Sequence, residues 1–137
     1  MLSAGAGRAS GMIVGVGIDI VAVARIRAAL ERARTGTRFR TRVFTPEEVA
    51  YCRGRYNAYE SYAARFAAKE ATMKALGRGF GEGLAWRDIE VARGTGAPTV
   101  RLAGGALARA QALGVSRLHL SLSHAGDLAV AYVVAES

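Results

Sequence analysis

The chain has 137 residues, of which 51% are hydrophobic and 22% are charged. This length accommodates one ordinary domain with a packed core and excludes a second autonomous domain, while the composition argues against a disordered tail. The formal charge of +8 at pH 7 predicts attraction to polyanions, acidic protein surfaces or phosphorylated ligands, with nucleic acid as the default partner on charge alone.

Residues 1–11 are interpreted as a flexible N-terminal extension, followed by a single domain over residues 12–137. The extension holds no long apolar run, and the apolar run from Met12 stops at Asp19. Both are too short for a signal peptide or a membrane span. The single cysteine, Cys52, cannot form an intramolecular disulfide and matches no zinc-site spacing, which fits a reducing compartment. We therefore expect a soluble cytoplasmic protein with no membrane partner.

The first predicted elements are a strand over residues 12–19 and an amphipathic helix that begins at Ile20. β-branched residues alternate with glycines in the strand, which is typical of a backbone that another group approaches closely. Arg25 and Arg32 are seven residues apart and are expected on one exposed face of the helix. The opposite, apolar stripe of the helix consists of Val23, Ile26 and Leu30.

Two further helices have clear boundary signals. Thr45 is followed by a proline and two glutamates, which predicts an N-cap and a capping box for a short helix that ends near Gly54. Apolar residues recur at helical spacing over residues 59–76, and Gly77 is the expected C-cap. The next residues, 77–83, read GRGFGEG and predict a loop with available backbone amides.

The last third of the chain predicts strands and one helix. Alternating residues and turn signals indicate an α+β fold in which helices pack on a small antiparallel sheet. The predicted elements are strands at 86–93 and 99–102, a helix at 106–113, a strand at 118–123, a turn at 124–127 and a strand at 128–134.

Three charged side chains are candidates for metal and phosphate chemistry. Asp19 lies at the predicted strand-to-helix junction, where it is either a helix N-cap or a ligand-facing carboxylate. Glu70 and Lys74 are four residues apart on one helical face, where they form either an exposed ion pair or part of a site. Two carboxylates from separate elements, a lysine and a glycine-rich loop together suit Mg²⁺ held against a pyrophosphate.

Several segments together resemble the holo-acyl-carrier-protein synthase family, the short single-half 4′-phosphopantetheinyl transferases. They occur in that family's order and cover nearly all of the chain from Met12 onward. The segments are GIDIVAVARI (17–26), RFAAKEATMKALG (65–77), WRDIEV (86–91), GAPTVRL (96–102) and SLSH (121–124).

The resemblance implies a magnesium-dependent transfer of 4′-phosphopantetheine from coenzyme A to a serine of apo acyl carrier protein, and a 4′-phosphopantetheinyl transferase-like fold. Asp19 and Glu70 match the family's magnesium ligands, and Lys74 matches a lysine that contacts the coenzyme A phosphates; these three are the expected catalytic residues. The loop from Gly77 is expected beside the phosphates. The resemblance further implies that a neighbouring subunit contributes Ser123 and His124 to the coenzyme A pocket, although His124 by itself reads as a turn or surface histidine.

The resemblance also implies two protein partners. Arg25 matches a basic position that docks the acidic carrier protein, and Arg32 is expected beside it. A chain half the length of the monomeric transferases is expected to self-associate, as a homotrimer with sites between subunits. Carrier docking would explain the positive charge without nucleic acid. The alternatives are a basic nucleic-acid-binding domain and a non-catalytic coenzyme A binder.

Overall fold

The computed structural model describes residues 10–137. Residues 1–9, most of the predicted N-terminal extension, lie outside the described residues, so that prediction is untested there. Gly11 donates its backbone N–H to the carbonyl oxygen of Ser137 over 2.8 Å. Within residues 10–137, no helix is long and apolar enough to cross a membrane.

The architecture is α+β, as predicted, with two antiparallel sheets and five α-helices among the described residues. The strands are β1 (Ile13–Ala22), β2 (Ile89–Ala92), β3 (Thr99–Leu102), β4 (Arg117–Ala125) and β5 (Leu128–Glu136). The helices are α1 (Val23–Glu31), α2 (Gly36–Val43), α3 (Pro46–Arg53), α4 (Ala58–Leu76) and α5 (Gly104–Leu113).

Helix α4 lies across one face of the larger sheet, in which β5 is the central strand between β1 and β4. Gly15 and Gly17 allow this close contact. A β-carbon at Gly15 would lie 2.1 Å from the carbonyl oxygen of Ala75, and one at Gly17 would lie 1.9 Å from the carbonyl oxygen of Ala71. Small residues on both surfaces therefore bring the backbone of β1 against α4, which determines the position of the side chains at this junction.

A buried ion pair joins α4 to α3, and both of its side chains are hydrogen-bonded to β2 of the smaller sheet. The Lys69 ammonium lies 2.8 Å from a Glu48 carboxylate oxygen, and both side chains are inaccessible to solvent. Lys69 also donates to the carbonyl oxygens of Trp86 and Ile89, and Glu48 accepts the Val91 N–H. Burial lowers the pKa of Lys69, while Glu48 opposes that shift. These bonds compensate the buried charges and connect α3, α4 and β2.

The predicted boundary signals at both ends of the helices are confirmed. Thr45 accepts the Glu48 N–H, and the Glu48 carboxylate accepts the Thr45 N–H, which completes the capping box of α3. Gly77 ends α4 with φ +73°, a left-handed conformation that favours glycine.

Other boundaries differ from the predictions. β1 continues past Asp19 to Ala22, which is the N-cap residue of α1, so the N-cap interpretation of Asp19 is wrong. Residues 86–88 form a 3₁₀ turn before β2 instead of a strand. His124 lies inside β4, because the β4–β5 hairpin turns over only residues 126–127.

Helix α2 was not predicted. Its sequence, GTRFRTRV, begins with glycine and contains four residues of weak or moderate helix propensity, so local preference does not indicate a helix. Tertiary packing supplies the stabilisation instead. The Phe39 ring lies 6.2 Å from the Phe44 ring and 6.4 Å from the Phe66 ring of α4, measured between centroids.

Candidate functional site

Strand β1 and helix α4 bring two of the predicted site residues together. The Lys74 ammonium lies 3.4 Å from a carboxylate oxygen of Asp19 and donates to the Ile18 carbonyl oxygen over 2.8 Å. Asp19 shares a sheet face with Gly17, two residues earlier, so its side chain points towards the helix that packs there. Lys74 is about half-exposed, which leaves its ammonium accessible to a ligand.

Glu70 lies one helical turn before Lys74 and is half-buried. Burial raises the pKa of its carboxyl group, and the nearby Asp19 carboxylate raises it further, whereas Lys74 and Arg25 lower it. The two carboxylates are therefore close enough to repel each other. A bound cation would relieve this repulsion.

The donor set at this junction fits a magnesium ion. Within residues 10–137 there is no group of three or more His, Cys, Asp and Glu side chains that could enclose a metal. A pair of carboxylates is nevertheless sufficient for Mg²⁺, which prefers hard oxygen ligands and commonly takes the rest of its shell from water and substrate phosphates. Asp19 and Glu70 supply such a pair.

A cavity of about 250 Å³ opens beside Glu70 and Lys74. Its charged wall also includes Arg78 and Glu82, and Gly77 lies on its lining. The apolar wall consists of Met73, Phe80 and Trp86. The cavity thus combines groups that bind phosphate with a surface that binds an apolar group.

The glycine-rich loop beside the cavity is held by its own hydrogen bonds. A Glu82 carboxylate oxygen accepts the Gly79 N–H at 2.6 Å, and the Glu82 N–H donates to the Gly79 carbonyl oxygen. Gly81 donates its N–H to the Leu84 carbonyl oxygen. These bonds connect the two sides of the loop despite its glycine content.

Ser123 and His124 are exposed on β4 and do not line this cavity. β5 separates their strand from β1, and the register pairs His124 with Ala129, which in turn pairs with Val21. Within one subunit, therefore, they are not assembled with the cavity. Their contribution to a neighbouring subunit's pocket stays a prediction.

Arg25 and Arg32 are both exposed, but they do not share a helical face as predicted, because α1 ends at Glu31 and Arg32 adopts an extended conformation after it. The Arg25 guanidinium lies over the Phe66 ring, 5.6 Å from its centroid. Arg32 lines a separate cavity of about 310 Å³ with residues of α2. The α2 residues are Arg38, Phe39 and Arg42.

Comparison with known proteins identifies the family. Residues 15–133 match the model of the 4′-phosphopantetheinyl transferase superfamily. The chain belongs to this superfamily. A curated relative, holo-[acyl-carrier-protein] synthase of Desulforudis audaxviator, is 54% identical over 125 residues, which cover 90% of this chain and 93% of the relative.

Solved structures of the same kind of enzyme share the fold. Holo-[acyl-carrier-protein] synthase from Neisseria meningitidis aligns with a TM-score of 0.80 and 34% identity, covering 92% of this chain and all (100%) of the other. The Helicobacter pylori enzyme in complex with coenzyme A aligns with a TM-score of 0.76 and 33% identity, and the alignment covers 88% of this chain and 98% of the Helicobacter pylori chain. The family and fold expected from the sequence are confirmed.

The superfamily match includes every predicted site residue, since all of them lie between residues 15 and 133. Sequence reasoning missed the apolar wall, Phe80 and Trp86, and the α2 arginines. Trp86 lies in the WRDIEV segment that carried part of the resemblance, so its position offered a signal. Phe80 and the α2 residues offered none, because only the folded chain brings them to these cavities.

Proposed function

We propose that this chain transfers the 4′-phosphopantetheine group of coenzyme A to a serine hydroxyl of an apo acyl carrier protein. The observation that carries the proposal is the convergence of Asp19, Glu70 and Lys74 beside a cavity with one charged and one apolar wall. The names of the curated relatives and the coenzyme A complex of the Helicobacter pylori neighbour support it.

Asp19 and Glu70 are the proposed ligands of Mg²⁺. When bound, the ion would neutralise negative charge on the pyrophosphate. Lys74 exchanges its contact with Asp19 for a phosphate oxygen, because its ammonium is accessible and the ion pair is partly solvated. These side chains orient the pyrophosphate and stabilise charge, which are the main requirements of phosphoryl transfer.

In the proposed reaction the carrier serine oxygen forms a bond to the β-phosphorus. The bond from that phosphorus to the oxygen bridging the two phosphates breaks, and 3′,5′-ADP leaves with the bond electrons. We assign acceptance of the serine proton to Glu70. Glu70 lines the cavity, so its carboxylate borders the space that the reacting groups would occupy.

The carrier protein is proposed to dock on the arginine surface formed by α1, α2 and Arg32, which lies between them. Arg32, Arg38 and Arg42 surround a cavity that also contains the Phe39 ring, and Arg25 lies nearer to Glu70. An acidic helix with an apolar side chain would match both the charge and the cavity. This accounts for the net positive charge without a nucleic-acid partner.

A homotrimer with sites between subunits is proposed from the outer face of the larger sheet. Val16, Ile18 and Ile20 of β1 are 50–58% exposed, and Tyr132, the partner of Ile18 on β5, is 44% exposed. Because side chains alternate along a strand, these residues lie on the face opposite α4. A contiguous apolar face of this kind is typical of a protein interface.

We also propose that the protein resides in the cytoplasm. Cys52 is a free, buried cysteine, and burial raises the pKa of its thiol to about 11. A single unpaired thiol fits a reducing compartment.

The transfer is tested by incubating the protein with apo carrier protein, coenzyme A and Mg²⁺ and measuring the carrier mass. The expected result is a mass increase equal to one phosphopantetheine group, which is lost when a chelator removes the metal. An unchanged mass with several carriers contradicts the proposal. Tight coenzyme A binding without transfer would instead indicate a non-catalytic binder, and retention on DNA with a steep salt dependence would indicate a nucleic-acid-binding domain.

A further inference from the structure

Three aromatic rings form a stack between the core and the cavity beside Glu70. The Phe66 and Trp86 rings are nearly parallel, with centroids 5.1 Å apart and an interplanar angle of 26°. The Phe80 and Trp86 rings are 5.3 Å apart at 22°. Phe66 is buried in α4, whereas Phe80 is 53% exposed and lines the cavity with Trp86. The stack therefore presents an aromatic surface to any ligand in the cavity.

The position of Phe80 is fixed by its loop. Phe80 forms a bridge with Leu84, which is buried, and Gly81 donates its N–H to the Leu84 carbonyl oxygen. The bond between Glu82 and Gly79 closes the other side of the loop. An exposed aromatic ring held in place at a cavity wall, in a loop otherwise composed of glycines and charged residues, stabilises little of the core, so a ligand contact accounts for it better than packing does.

The order of residues along α4 and the contact of Arg25 with Phe66 locate the stack relative to the charged groups. Along α4, Phe66 precedes Glu70 by four residues, while Lys74 and Gly77 follow it. Arg25, on the proposed carrier-docking surface, contacts the Phe66 ring. The Phe66 end of the stack thus faces the proposed carrier-docking surface, and Trp86 and Phe80 continue the stack along the cavity wall.

Coenzyme A has the same division of chemistry. Its phosphates and nucleotide are polar and charged, while the pantetheine arm carries methyl and methylene groups. The arm is attached to the phosphorus that the carrier serine attacks, so it must lie near the carrier side.

We propose that Phe80, supported by Trp86, is a specificity-determining residue that binds the pantetheine arm and not the nucleotide of coenzyme A. This inference rests on the proposed function. It assigns the apolar wall of the cavity to the part of the substrate that is transferred. Apolar contact with the ring contributes to the binding of coenzyme A but contributes nothing to the binding of the product 3′,5′-ADP, which lacks the arm.

The test compares the two ligands on one variant. Dissociation constants for coenzyme A and for 3′,5′-ADP are measured by calorimetry, with Mg²⁺ present, for the wild-type protein and Phe80→Ala. We expect coenzyme A binding to weaken by about tenfold, an effect the size of one lost apolar side-chain contact. The dissociation constant of 3′,5′-ADP is expected to change less than about twofold.

Two control variants separate the ligand contact from other effects. Phe80→Leu retains an apolar side chain and is expected to recover most of the coenzyme A affinity. Leu107→Ala removes an exposed apolar side chain from α5 and is expected to change neither constant. Thermal melting of each variant verifies that the fold is intact.

If Phe80→Ala weakened the binding of coenzyme A and of 3′,5′-ADP equally, Phe80 would contact the nucleotide or only shape the loop, and the inference would be overturned. Unchanged binding of both ligands would also overturn it. In either case the wild-type protein would still modify the carrier, so the proposed function would stand. Failure of the wild-type protein to bind coenzyme A would overturn both the inference about Phe80 and the proposed function.

Discussion

The ammonium of Lys74 lies 3.4 Å from the carboxylate of Asp19, although 55 residues separate them in the chain. The lysine side chain is half-exposed and the aspartate is mostly buried, so solvent weakens the pair and it adds little to stability. The contact matters because of where it places the two charged groups. The contact shows that β1 holds a carboxylate against the ammonium of Lys74, which lines the same cavity as Glu70.

Removing either proposed metal carboxylate is expected to affect catalysis far more than folding. We expect Asp19→Asn and Glu70→Gln to reduce kcat by about 100-fold or more, because each removes a proposed ligand of the cation that would neutralise charge on the reacting phosphates. The melting temperature is expected to change by only about 2–4 °C, since neither carboxylate has a buried ion-pair partner. Carrier mass against time and thermal melting measure the two effects.

The matched control is Glu60→Gln, which makes the same chemical change in the first turn of α4, away from the cavity. It is expected to leave kcat unchanged. A Glu70→Gln protein with wild-type kcat would contradict the metal and base assignments together.

Substitution of Gly17 tests the packing that positions Asp19. The β-carbon of Gly17→Ala would lie 1.9 Å from the Ala71 carbonyl oxygen, so β1 and α4 must move apart. We expect a loss of at least about 1–3 kcal/mol in the free energy of unfolding, as for other overpacked sites. Activity should fall as well, because Asp19 moves with the strand. Urea denaturation and the carrier assay measure these quantities.

Gly54→Ala is the corresponding control. Nothing lies within 4 Å of the added methyl group, and φ is −83°, which alanine adopts without strain. Its free energy of unfolding is expected to equal or slightly exceed that of the wild-type protein. Equal stability of both glycine variants would mean that α4 and β1 are not in contact as described.

The buried pair Lys69–Glu48 predicts a large stability effect. In Lys69→Met the Glu48 carboxylate stays buried without its cation, and we expect the free energy of unfolding to fall by about 3–5 kcal/mol. Breaking the exposed pair Arg27–Glu31 by Arg27→Ala is expected to cost far less, because solvent screens both charges. Urea denaturation of both variants gives the comparison. Similar losses in the two would show that Lys69 and Glu48 are solvated.

The outer face of the larger sheet predicts self-association. Ile18→Asp places a charge among exposed apolar side chains and is expected to convert the proposed trimer to monomers, with loss of activity if sites form between subunits. Sedimentation measures the assembly state. Leu107→Asp, which changes an exposed leucine of α5, is expected to leave the assembly intact. A wild-type protein that sediments as a monomer would refute the trimer.

The part of the fold that depends on local signals was predictable. The capping box at Thr45, the left-handed Gly77 and the alternating strands β4 and β5 were read correctly, because each is determined by a few adjacent residues. The end of β1 was placed too early. Asp19 looked like a helix N-cap, yet pairing with Ala131 in β5 extends the strand past it.

The sequence by itself determined the family and the fold class, and it singled out Asp19, Glu70 and Lys74 as candidate site residues, because these residues stand in long, specific motifs. Tertiary structure alone decided which other side chains share the site. Phe80 reaches Trp86 through a folded loop, and α2 forms by packing Phe39 against Phe44 and Phe66. Such contacts join residues distant in the chain, and their energies arise from burial in the complete core, which no short sequence window contains.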